Sequence, residues 1–388
     1  MLRSMFTAIS SLNLHQTYLD VVANNLANAN TIGYKASRVV FQDQFSQLLS
    51  PGAGPSATGG GVNPIQVGLG TQLGYISPIF SQGMLQATGR NLDLAVQGDG
   101  FFIYDQGVNR RYSREGSLTM DSTGNIVNSS TGLRIQGWVA NNGAVDPNLP
   151  AGDIQINTDG TVARATGNAV IGGNLSADTL VGDTVSTTMG LYDSLGNLHT
   201  ATVEFTRNAA DWSWKVVDPA NPASLTGLGA GTIAFDAFGQ TTSSVATTAI
   251  SIPGGTGANA ITPTFNMDGM TMLNADSSVS ITSQDGLPTG SVTDMYVTPK
   301  DGQVFLVYSN GMREMVAQVA LARFNNPAGL IKSGNTMFQQ GLNSGEPQVG
   351  LANTGGRGAF AAGYLEASNV DMAQEFTNMI LAQRGFQA

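Results

Sequence analysis

Residue types that commonly bind metals or transfer protons are scarce in this chain of 388 residues. It contains no cysteine, and its only histidines are His15 and His199. A structural or catalytic metal site needs several such ligands close together. His15 lies in a predicted helix and His199 follows a predicted turn. We therefore expect two separate imidazoles, no metal and no other cofactor.

Carboxylates are more numerous, but their neighbours indicate turns rather than catalysis. Most of the following stand beside Gly or Asn: Asp99, Asp121, Asp193, Asp268, Asp285 and Asp301. A short acidic side chain in such a position usually bonds to the nearby backbone and stabilises a turn. No pair is placed for general acid–base catalysis, so no catalytic residue is assigned. The tryptophans are too scattered to indicate a sugar-binding cleft, but a secreted β-rich enzyme acting on polysaccharide remains an alternative.

The glycine-rich segments and the composition exclude further classes. Gly68-Leu69-Gly70 and Gly98-Asp99-Gly100 do not lead into a strand–loop–helix unit with a lysine, as a phosphate loop would. Charged residues are only 11% of the chain, and the net charge of −10 argues against nucleic acid. No apolar run approaches the roughly 18 residues of a membrane span. Arg3 is not followed by a continuous apolar segment, so we expect no membrane insertion and no cleaved signal peptide.

The elements at the two ends of the chain are predicted helices. Over residues 1–32 the apolar side chains recur at helical spacing on one face: Leu2, Met5, Phe6, Ile9, Leu12, Leu19, Ala23 and Leu26. Near the C-terminus Met372, Ala373, Phe376, Met379 and Ile380 share a face, after a predicted capping box at Ser368 and Asp371. The chain stops without a C-terminal cap, so we expect this helix to continue in the natural protein. Two such helices can pair only with each other or with another copy, which indicates assembly.

The chain between the helices is expected to be mainly β-structure. Forty-nine glycines and few charges suit extended strands with many turns. The clearest unit is a hairpin of residues 185–192 and 198–205, joined through Asp193-Ser194-Leu195-Gly196-Asn197. Residues 50–63 are low in complexity and predict a Gly-rich loop within a linker over residues 33–74.

Four segments carry a resemblance to a known family. The run Asn25-Leu26-Ala27-Asn28-Ala29-Asn30-Thr31-Ile32-Gly33-Tyr34-Lys35 resembles the N-terminal signature of the flagellar axial proteins, which are the rod, hook and hook-associated proteins. Residues 89–102 and 363–378 resemble two further family segments. The matching residues are Asn25, Asn28, Thr31, Gly33, Tyr34, Gly89, Asp93, Gly98, Gly100, Phe101, Phe102, Asn369 and Val370. Residues 188–199 resemble the outer domain of the hook members, which rod members lack.

The resemblance implies a mainly β, multidomain fold whose N- and C-terminal α-helices pair as coiled coils in a helical polymer. Residues 1–32 and 364–388 would form the inner tube, and residues 75–140 with 285–363 an inner β domain. Residues 141–284 would be an inserted outer β domain. The implied function is that of a structural subunit of a flexible coupling that transmits motor torque. A protein of the distal rod is a second alternative, because residues 41–74 look more like the rod members.

The resemblance also implies partners and a location. The chain would form a homopolymer with the distal rod below and the hook–filament junction proteins above. Its assembly would involve the flagellar type III export apparatus, the hook cap and the hook-length control protein. The protein would be extracellular, in the hook and basal body, and exported without cleavage.

We also expect specific contacts between the copies of the polymer. The inner contacts are expected at Leu2, Met5, Ile9, Leu12, Leu19, Leu26, Ala373, Phe376 and Ile380. A second apolar set, Phe41, Phe45, Leu48 and Leu49, is expected to dock between adjacent copies and to stiffen the polymer. In a free chain both terminal helices would lack these partners and should be mobile.

Overall fold

The computed structural model describes residues 2–52, 54–55, 59–105, 107, 109–141, 143–217, 230–242, 257–259 and 261–387. Helix α1 spans Leu2–Ala27 and helix α2 spans Met372–Gln387, and the chain between them is β-structure. The predicted fold class, mainly β and multidomain with a helix at each end, is confirmed.

The strands of the chain are short, and they fall into three successive groups. The first group is β1 Ser37–Asp43, β2 Ser46–Ser50, β3 Ile65–Gly68, β4 Thr71–Pro78, β5 Leu85–Ala87, β6 Leu94–Gln97, β7 Phe101–Asp105, β8 Arg110–Ser113, β9 Leu118–Met120, β10 Ile126–Asn128, β11 Arg134–Val139 and β12 Gly152–Asp153. The second is β13 Thr161–Arg164, β14 Asn168–Asn174, β15 Thr184–Tyr192, β16 Leu198–Arg207, β17 Trp212–Val217, β18 Ala230–Ile233, β19 Thr264–Asn266, β20 Met270–Thr271, β21 Ser278–Gln284 and β22 Leu287–Val297. The third is β23 Gln303–Tyr308, β24 Arg313–Val319, β25 Leu321–Arg323, β26 Ile331–Lys332, β27 Met337–Gln339, β28 Gln348–Gly350, β29 Ala359–Ala362 and β30 Tyr364–Glu366, with a short 3-10 helix at Pro327–Gly329.

The chain folds into two compact units. The first unit comprises Met1–Asn157, Met295–Phe305 and Met315–Ala388, and the second comprises Thr158–Asp294 and Leu306–Glu314. The second unit thus starts later than the predicted insertion at residue 141. The reason is that residues before Asn157 are still bonded into the first unit: the Ile126 N–H donates to the Ile154 carbonyl oxygen at 3.1 Å, and the Ile156 N–H donates to the Gly124 carbonyl oxygen at 2.8 Å.

The first unit brings the early and the late strands of the chain together. Strand β6 pairs with β29, and β5 pairs with β30, both antiparallel. Strand β7 pairs with β8, β11 and β25 in the neighbouring sheet. The core beside these strands is aromatic: Phe101 packs against Phe80, Phe324 and Phe338 with ring centroids 5.3–6.1 Å apart.

Strands β1 to β4, over residues 37–78, form an extended β-hairpin in the region predicted as a linker with a Gly-rich loop. Strand β1 pairs antiparallel with β4, and β2 pairs antiparallel with β3. Most of the predicted loop over residues 50–63 lies at the tip of this hairpin, although residues 53 and 56–58 are outside the described part of the chain. The glycines near the tip concealed the strand alternation on either side of it.

The second unit contains the predicted hairpin. Strands β15 and β16 pair antiparallel from Thr184↔Thr206 to Tyr192↔Leu198, and β17 and β18 extend this sheet. At the turn the Asp193 carboxylate accepts hydrogen bonds from the backbone N–H groups of Leu195 and Asn197, each at 2.9 Å. Asp193 therefore has the turn role that the sequence predicted.

The two histidines lie in different parts of the fold. His199 Nε2 lies 3.0 Å from Asp193 Oδ2, and His15 contacts the ring of Phe41. Within the described ranges, no group of three or more His, Cys, Asp or Glu could hold a metal ion. Neither of the helices described has the length and apolar character needed to cross a membrane.

Candidate functional site

The two terminal helices pack against each other within one chain. Asn25 Nδ2 donates to Glu375 Oε1 at 3.1 Å near one end of the pair. Near the other end Gly385 lies against the His15 ring, where an added Cβ would be 2.5 Å from the imidazole Cε1. Residues late in α1 therefore lie beside residues early in α2, and the reverse holds at the other end, so the two helices are antiparallel. The sequence could not decide whether each helix would pair within its own chain or with another copy.

Three buried charged side chains lie where the terminal segments meet the β strands; we call them the terminal anchor. They are Lys35, Arg114 and Glu366, with side-chain exposures of 0%, 3% and 0%. Lys35 Nζ lies 2.6 Å from Glu366 Oε1, and Arg114 Nη1 lies 3.5 Å from Glu366 Oε2. Lys35 also donates to the Ser81 carbonyl oxygen at 2.8 Å, and Glu366 accepts from the Gly83 N–H at 2.9 Å. The anchor therefore joins four separate stretches of the chain.

The electrostatics of the terminal anchor depend on Glu366. Burial lowers the pKa of Lys35, and the adjacent Glu366 carboxylate opposes this by favouring the ammonium. Burial likewise lowers the pKa of Arg114, and the carboxylates of Glu366 and Asp99 oppose it. Two buried cations thus share one buried carboxylate. Removing that carboxylate would leave both cations without their nearest countercharge, which is costly in a low-dielectric interior.

Two asparagines of the family signature hold the same short backbone segment from opposite ends of the chain. Asn25 Oδ1 accepts from the Ser37 N–H at 2.9 Å, and Asn25 Nδ2 donates to the Ser37 carbonyl at 2.8 Å. Asn369 Oδ1 accepts from the Ala36 N–H at 2.8 Å, while its Nδ2 donates to the Ser81 hydroxyl oxygen at 3.0 Å. These bonds satisfy the backbone N–H groups of Ala36 and Ser37 and the Ser37 carbonyl at the start of β1. They fix the exit of α1 relative to the entry of α2.

Gly33 and Tyr34 complete this junction. Gly33 has a φ of +71°, and a Cβ added there would lie 2.7 Å from the Glu115 backbone nitrogen. Its N–H donates to the Glu366 carbonyl at 2.8 Å, so both the conformation and the space require glycine. The Lys332 ammonium lies 5.0 Å from the centroid of the Tyr34 ring, within cation–π range.

The helix ends are capped by side chains near the signature. Helix α1 ends at Ala27, five residues before the predicted limit of 32, because Asn28 turns back and its Nδ2 donates to the Asn24 carbonyl at 2.9 Å. Thr31 Oγ1 then donates to Asn28 Oδ1 at 3.1 Å. At α2 the cap is Asp371, whose Oδ1 accepts from the N–H groups of Ala373 and Gln374 at 2.9 and 3.2 Å. The predicted capping box starting at Ser368 is therefore wrong, and Ser368 accepts from the Val370 N–H at 3.3 Å instead.

The remaining signature residues build the strands beneath the junction. Phe101 and Phe102 are buried in β7, and Phe102 stacks on Phe360 of β29 with ring centroids 5.7 Å apart. The buried Asp93 accepts from the Gly363 N–H through its backbone carbonyl at 2.8 Å. Gly89, Gly98 and Gly100 have positive φ angles of 70°, 96° and 145°. These residues serve the fold and do not converge on a ligand site.

The predicted polymer contacts lie mostly on the outward faces of the two helices. On α1, Met5, Ile9 and Leu12 are 59%, 47% and 39% exposed. On α2, Phe376 and Ile380 are each 53% exposed, and Ala373 is exposed as well. Leu19 and Leu26 are half-buried, and the side chain of Leu2 is outside the described part. Each helix thus presents an uncovered apolar face, and their contact with another copy stays a prediction.

The predicted linker residues divide between two environments. The ring of Phe41 lies 6.2 Å from that of His15 and 5.9 Å from that of Tyr18, so the base of the hairpin packs on α1. Phe45 is 82% exposed, and Leu48 and Leu49 are 53% and 59% exposed. Sequence reasoning missed further exposed apolar side chains on the same hairpin: Val62, Ile65, Val67, Leu73, Tyr75 and Ile76. The alternating run Ile65-Gln66-Val67 was the available signal for this part of the hairpin.

Sequence reasoning also missed the terminal anchor. Lys35 and Glu366 lie within the segments that carry the resemblance, but each stands alone among uncharged neighbours. Because Lys35 and Glu366 are 331 residues apart, no sequence motif connects them. The scarcity of charge was the only available signal, because a lone charge in an apolar setting is either exposed or paired.

Four family models match separate parts of this chain. They are the flagella basal body rod protein model over residues 5–35, the flagellar hook protein FlgE/F/G D1 domain over residues 95–164, the flagellar basal body protein FlaE D2 domain over residues 176–287, and the flagellar basal body rod FlgEFG protein C-terminal model over residues 361–388. The first and last cover α1 and α2 with the junction between them.

Individual relatives agree with these models. The flagellar hook protein FlgE of Treponema pallidum is 34% identical over 445 residues, covering 100% of this chain and 96% of that protein. The FlgE of Borreliella burgdorferi is 35% identical, covering 100% of this chain and 96% of that protein. The crystal structure of Helicobacter pylori flagellar hook protein FlgE2 has a TM-score of 0.51 at 15% identity, over 73% of this chain and all of that one, and shows a related fold. The chain, with a helix at each end and β units between them, belongs to the flagellar hook proteins.

Proposed function

We propose that this chain is the repeating subunit of a tubular hook polymer that couples the rod flexibly to the filament. The observation that carries the proposal is the uncovered apolar face on each terminal helix, which includes Met5, Ile9, Phe376 and Ile380. Monomeric proteins rarely leave contiguous apolar patches exposed unless another surface covers them. In the polymer, neighbouring copies cover these faces as coiled coils around a central channel.

The size of this effect is enough to drive assembly. Burying a large apolar side chain stabilises by roughly 1.5–3 kcal/mol before entropy losses. Met5, Phe6, Ile9 and Leu12 on α1 and Phe376 on α2 are all at least 39% exposed. Covering only half of their surface in each contact would contribute on the order of several kcal/mol per copy. Repeated around a helical lattice, contacts of that strength hold a tube together.

The terminal anchor gives the tube its connection to the outer β-structure. Load applied to α1 or α2 reaches the strands through Lys35, Glu366 and the asparagines Asn25 and Asn369. Because Lys35 and Glu366 are buried and paired, and the two asparagines bond to the backbone of Ala36 and Ser37, the junction resists deformation, and bending occurs between copies instead. A surface with few charges has few fixed ion pairs to break when neighbours slide.

The exposed hairpin provides a second contact between copies. Leu48 and Leu49 are exposed on β2, which pairs only with β3 in the described part of the chain, and the exposed Phe45 lies between β1 and β2. Docked on an adjacent copy, they restrict sliding without preventing assembly, because several buried apolar side chains add on the order of several kcal/mol per copy. The hairpin therefore stiffens the hook.

The assembled protein lies outside the cell, between the distal rod and the hook–filament junction proteins. The flagellar type III export apparatus delivers the chain without cleavage, the hook cap directs its addition, and the hook-length control protein ends it. This set of partners rests on membership of the hook family, and the exposed helix faces are compatible with it.

The test is assembly of purified protein, measured by sedimentation and electron microscopy. Ile9→Asp and Phe376→Asp place a charge in the proposed contact and should abolish tubes. Ile9→Leu preserves an apolar side chain of similar volume and should assemble. Leu180→Asp is the matched control, since Leu180 is 73% exposed in the second unit and off the helices.

Three outcomes separate the candidates. Tubes from wild type that bend support the hook, and straight rigid tubes indicate a rod protein. Monodisperse monomers under all conditions would favour the enzyme alternative. Tubes formed equally well by both Asp variants would show that the terminal helices do not make the contact.

A further inference from the structure

The outward face of α1 carries one charge, eight residues beyond Leu12, which is the last exposed large apolar side chain of the helix. Asp20 is the only acidic residue of the helix. At about 100° per residue it lies roughly 20° around the helix from Ile9, so it points to the same side. Asp20 is exposed, and no partner bonds to its carboxylate in the part of the chain that the structure describes.

The outward face of α2 carries one charge of opposite sign. Arg384 is the only basic residue of that helix. It follows Ile380 by four residues and Phe376 by eight, so the three side chains lie along one stripe. Arg384 is exposed, and its guanidinium has no ion-pair or hydrogen-bond partner among the described residues.

These two charges do not meet within one chain. The antiparallel pair places His15 beside Gly385 and Asn25 beside Glu375, and it buries Ala382 on the inner side of α2. Asp20 and Arg384 stand on the opposite sides of their helices, facing away from the pair. A partner for either charge must come from another molecule.

We propose that Asp20 of one copy pairs with Arg384 of a neighbouring copy, and that this ion pair sets the register of the helices in the polymer. The proposal rests on the proposed function, because it needs the outward stripes to be buried between copies. Apolar stripes alone allow many axial registers, since Leu, Ile and Met pack adaptably. A charge buried without a partner is penalised, so only registers that bring the opposite charges together remain favourable.

A second copy is the occupant that the charges favour. Each outward helix face carries exposed apolar side chains and a single charge, and the two charges are opposite in sign. The one arginine of α1 by sequence is Arg3, near the start of the helix. If Arg3 were the partner of Asp20, changing Arg384 would have no effect on assembly, so the experiment separates the two.

The experiment uses charge reversal in the full chain. Asp20→Arg and Arg384→Asp should each raise the protein concentration needed for polymerisation by about tenfold or more, because like charges then meet. The double variant should return to within about threefold of wild type. A mixture of the two single variants in equal amounts should also polymerise, because the arginine introduced in one variant meets the aspartate introduced in the other. Asp178→Arg, an exposed change in the second unit, controls for net charge.

The outcomes distinguish failure of the proposed function from failure of the proposed ion pair. If wild type does not polymerise, the proposed function fails. If wild type and both single variants polymerise alike, the ion pair is wrong and the proposed function stands. If neither the double variant nor the mixture recovers, the two residues do not contact each other. If the double variant recovers but the mixture does not, the pair forms within one chain, which also overturns the proposal. Circular dichroism and thermal unfolding verify that every variant is folded.

Discussion

The terminal anchor should be the most sensitive point of the first unit. Glu366→Gln preserves the shape of the side chain but removes the charge that Lys35 and Arg114 share. The Lys35–Glu366 contact of 2.6 Å is fully buried, so both cations would remain in a low-dielectric site without their carboxylate. Breaking a buried pair by removing one partner typically costs about 3–5 kcal/mol. That is a large part of the roughly 5–15 kcal/mol that stabilises a typical protein.

The matched control is Glu204→Gln in the second unit. Glu204 Oε2 lies 2.9 Å from Lys215 Nζ, but the two side chains are 31% and 58% exposed. An exposed pair of this kind contributes about 0–1 kcal/mol. The two substitutions remove the same charge from the same residue type and differ in burial.

The assay is urea unfolding monitored by hydrogen exchange and mass spectrometry, which gives the unfolding midpoint of each unit separately. With a loss of about 3–5 kcal/mol and a slope of about 1–3 kcal/mol per molar urea, Glu366→Gln should lower the midpoint of the first unit by roughly 1–5 M. The midpoint of the second unit should not change. A shift of the first unit no larger than that caused by Glu204→Gln would refute the reasoning, because it would mean that the buried carboxylate is not needed to hold its two cations.

Three further predictions concern other parts of the molecule. Deleting residues 44–63 should leave polymers that form but bend more easily, as measured by persistence length in electron micrographs; unchanged stiffness would make the hairpin a spacer only. Hydrogen bonds, first that from the Asn125 amide, lower the pKa of Asp121 from 3.8 to about 2, so the stability from this carboxylate is present above pH 3.8 and is lost as the pH falls towards 2. Asp121→Asn should flatten acid unfolding of the first unit in that window, and an unchanged pH profile would exclude Asp121 as a source of the acid sensitivity. Limited proteolysis of the monomer should cut within residues 2–27 and 372–387 before residues 33–37 and 364–369, and early cleavage next to Glu366 would contradict the anchor.

The helices and their apolar faces could be predicted because the helical period is a local property of the sequence. Ile9, Leu12, Phe376 and Ile380 fall on the outward faces as the spacing indicates. Leu19 and Leu26 were assigned to the same face but are half-buried, because at ~3.6 residues per turn the stripe drifts toward the side packed in the chain. Periodicity says which residues are apolar together, and it does not say which neighbour covers them.

The junction between the ends could be recognised but not built from the sequence. The signature residues Asn25, Gly33 and Asn369 were singled out by resemblance, and their roles emerge only from backbone groups that the fold brings to them. The pairing within the terminal anchor could not be predicted, since no sequence motif connects Glu366 with Lys35, which lies 331 residues away. From the sequence, the mobile C-terminal segment was expected to begin at residue 364. In the structure, strand β30 pairs with β5 there, and Glu366 is paired with Lys35. Local signals therefore found the elements, and tertiary contacts decided the site.

The pairing of the first strands with the last has a kinetic consequence. The contact of Lys35 with Glu366 spans 331 residues of chain. Closing a flexible loop of that length costs about 2 kcal/mol more than closing one a tenth as long, and contacts of such high order form slowly. Strands β5 and β6 have no partner in the described chain until β29 and β30 arrive. In a chain that is still being synthesised, or whose end is still inside a narrow channel, these strand pairs cannot form. The first unit therefore completes its folding only when its final segment is released.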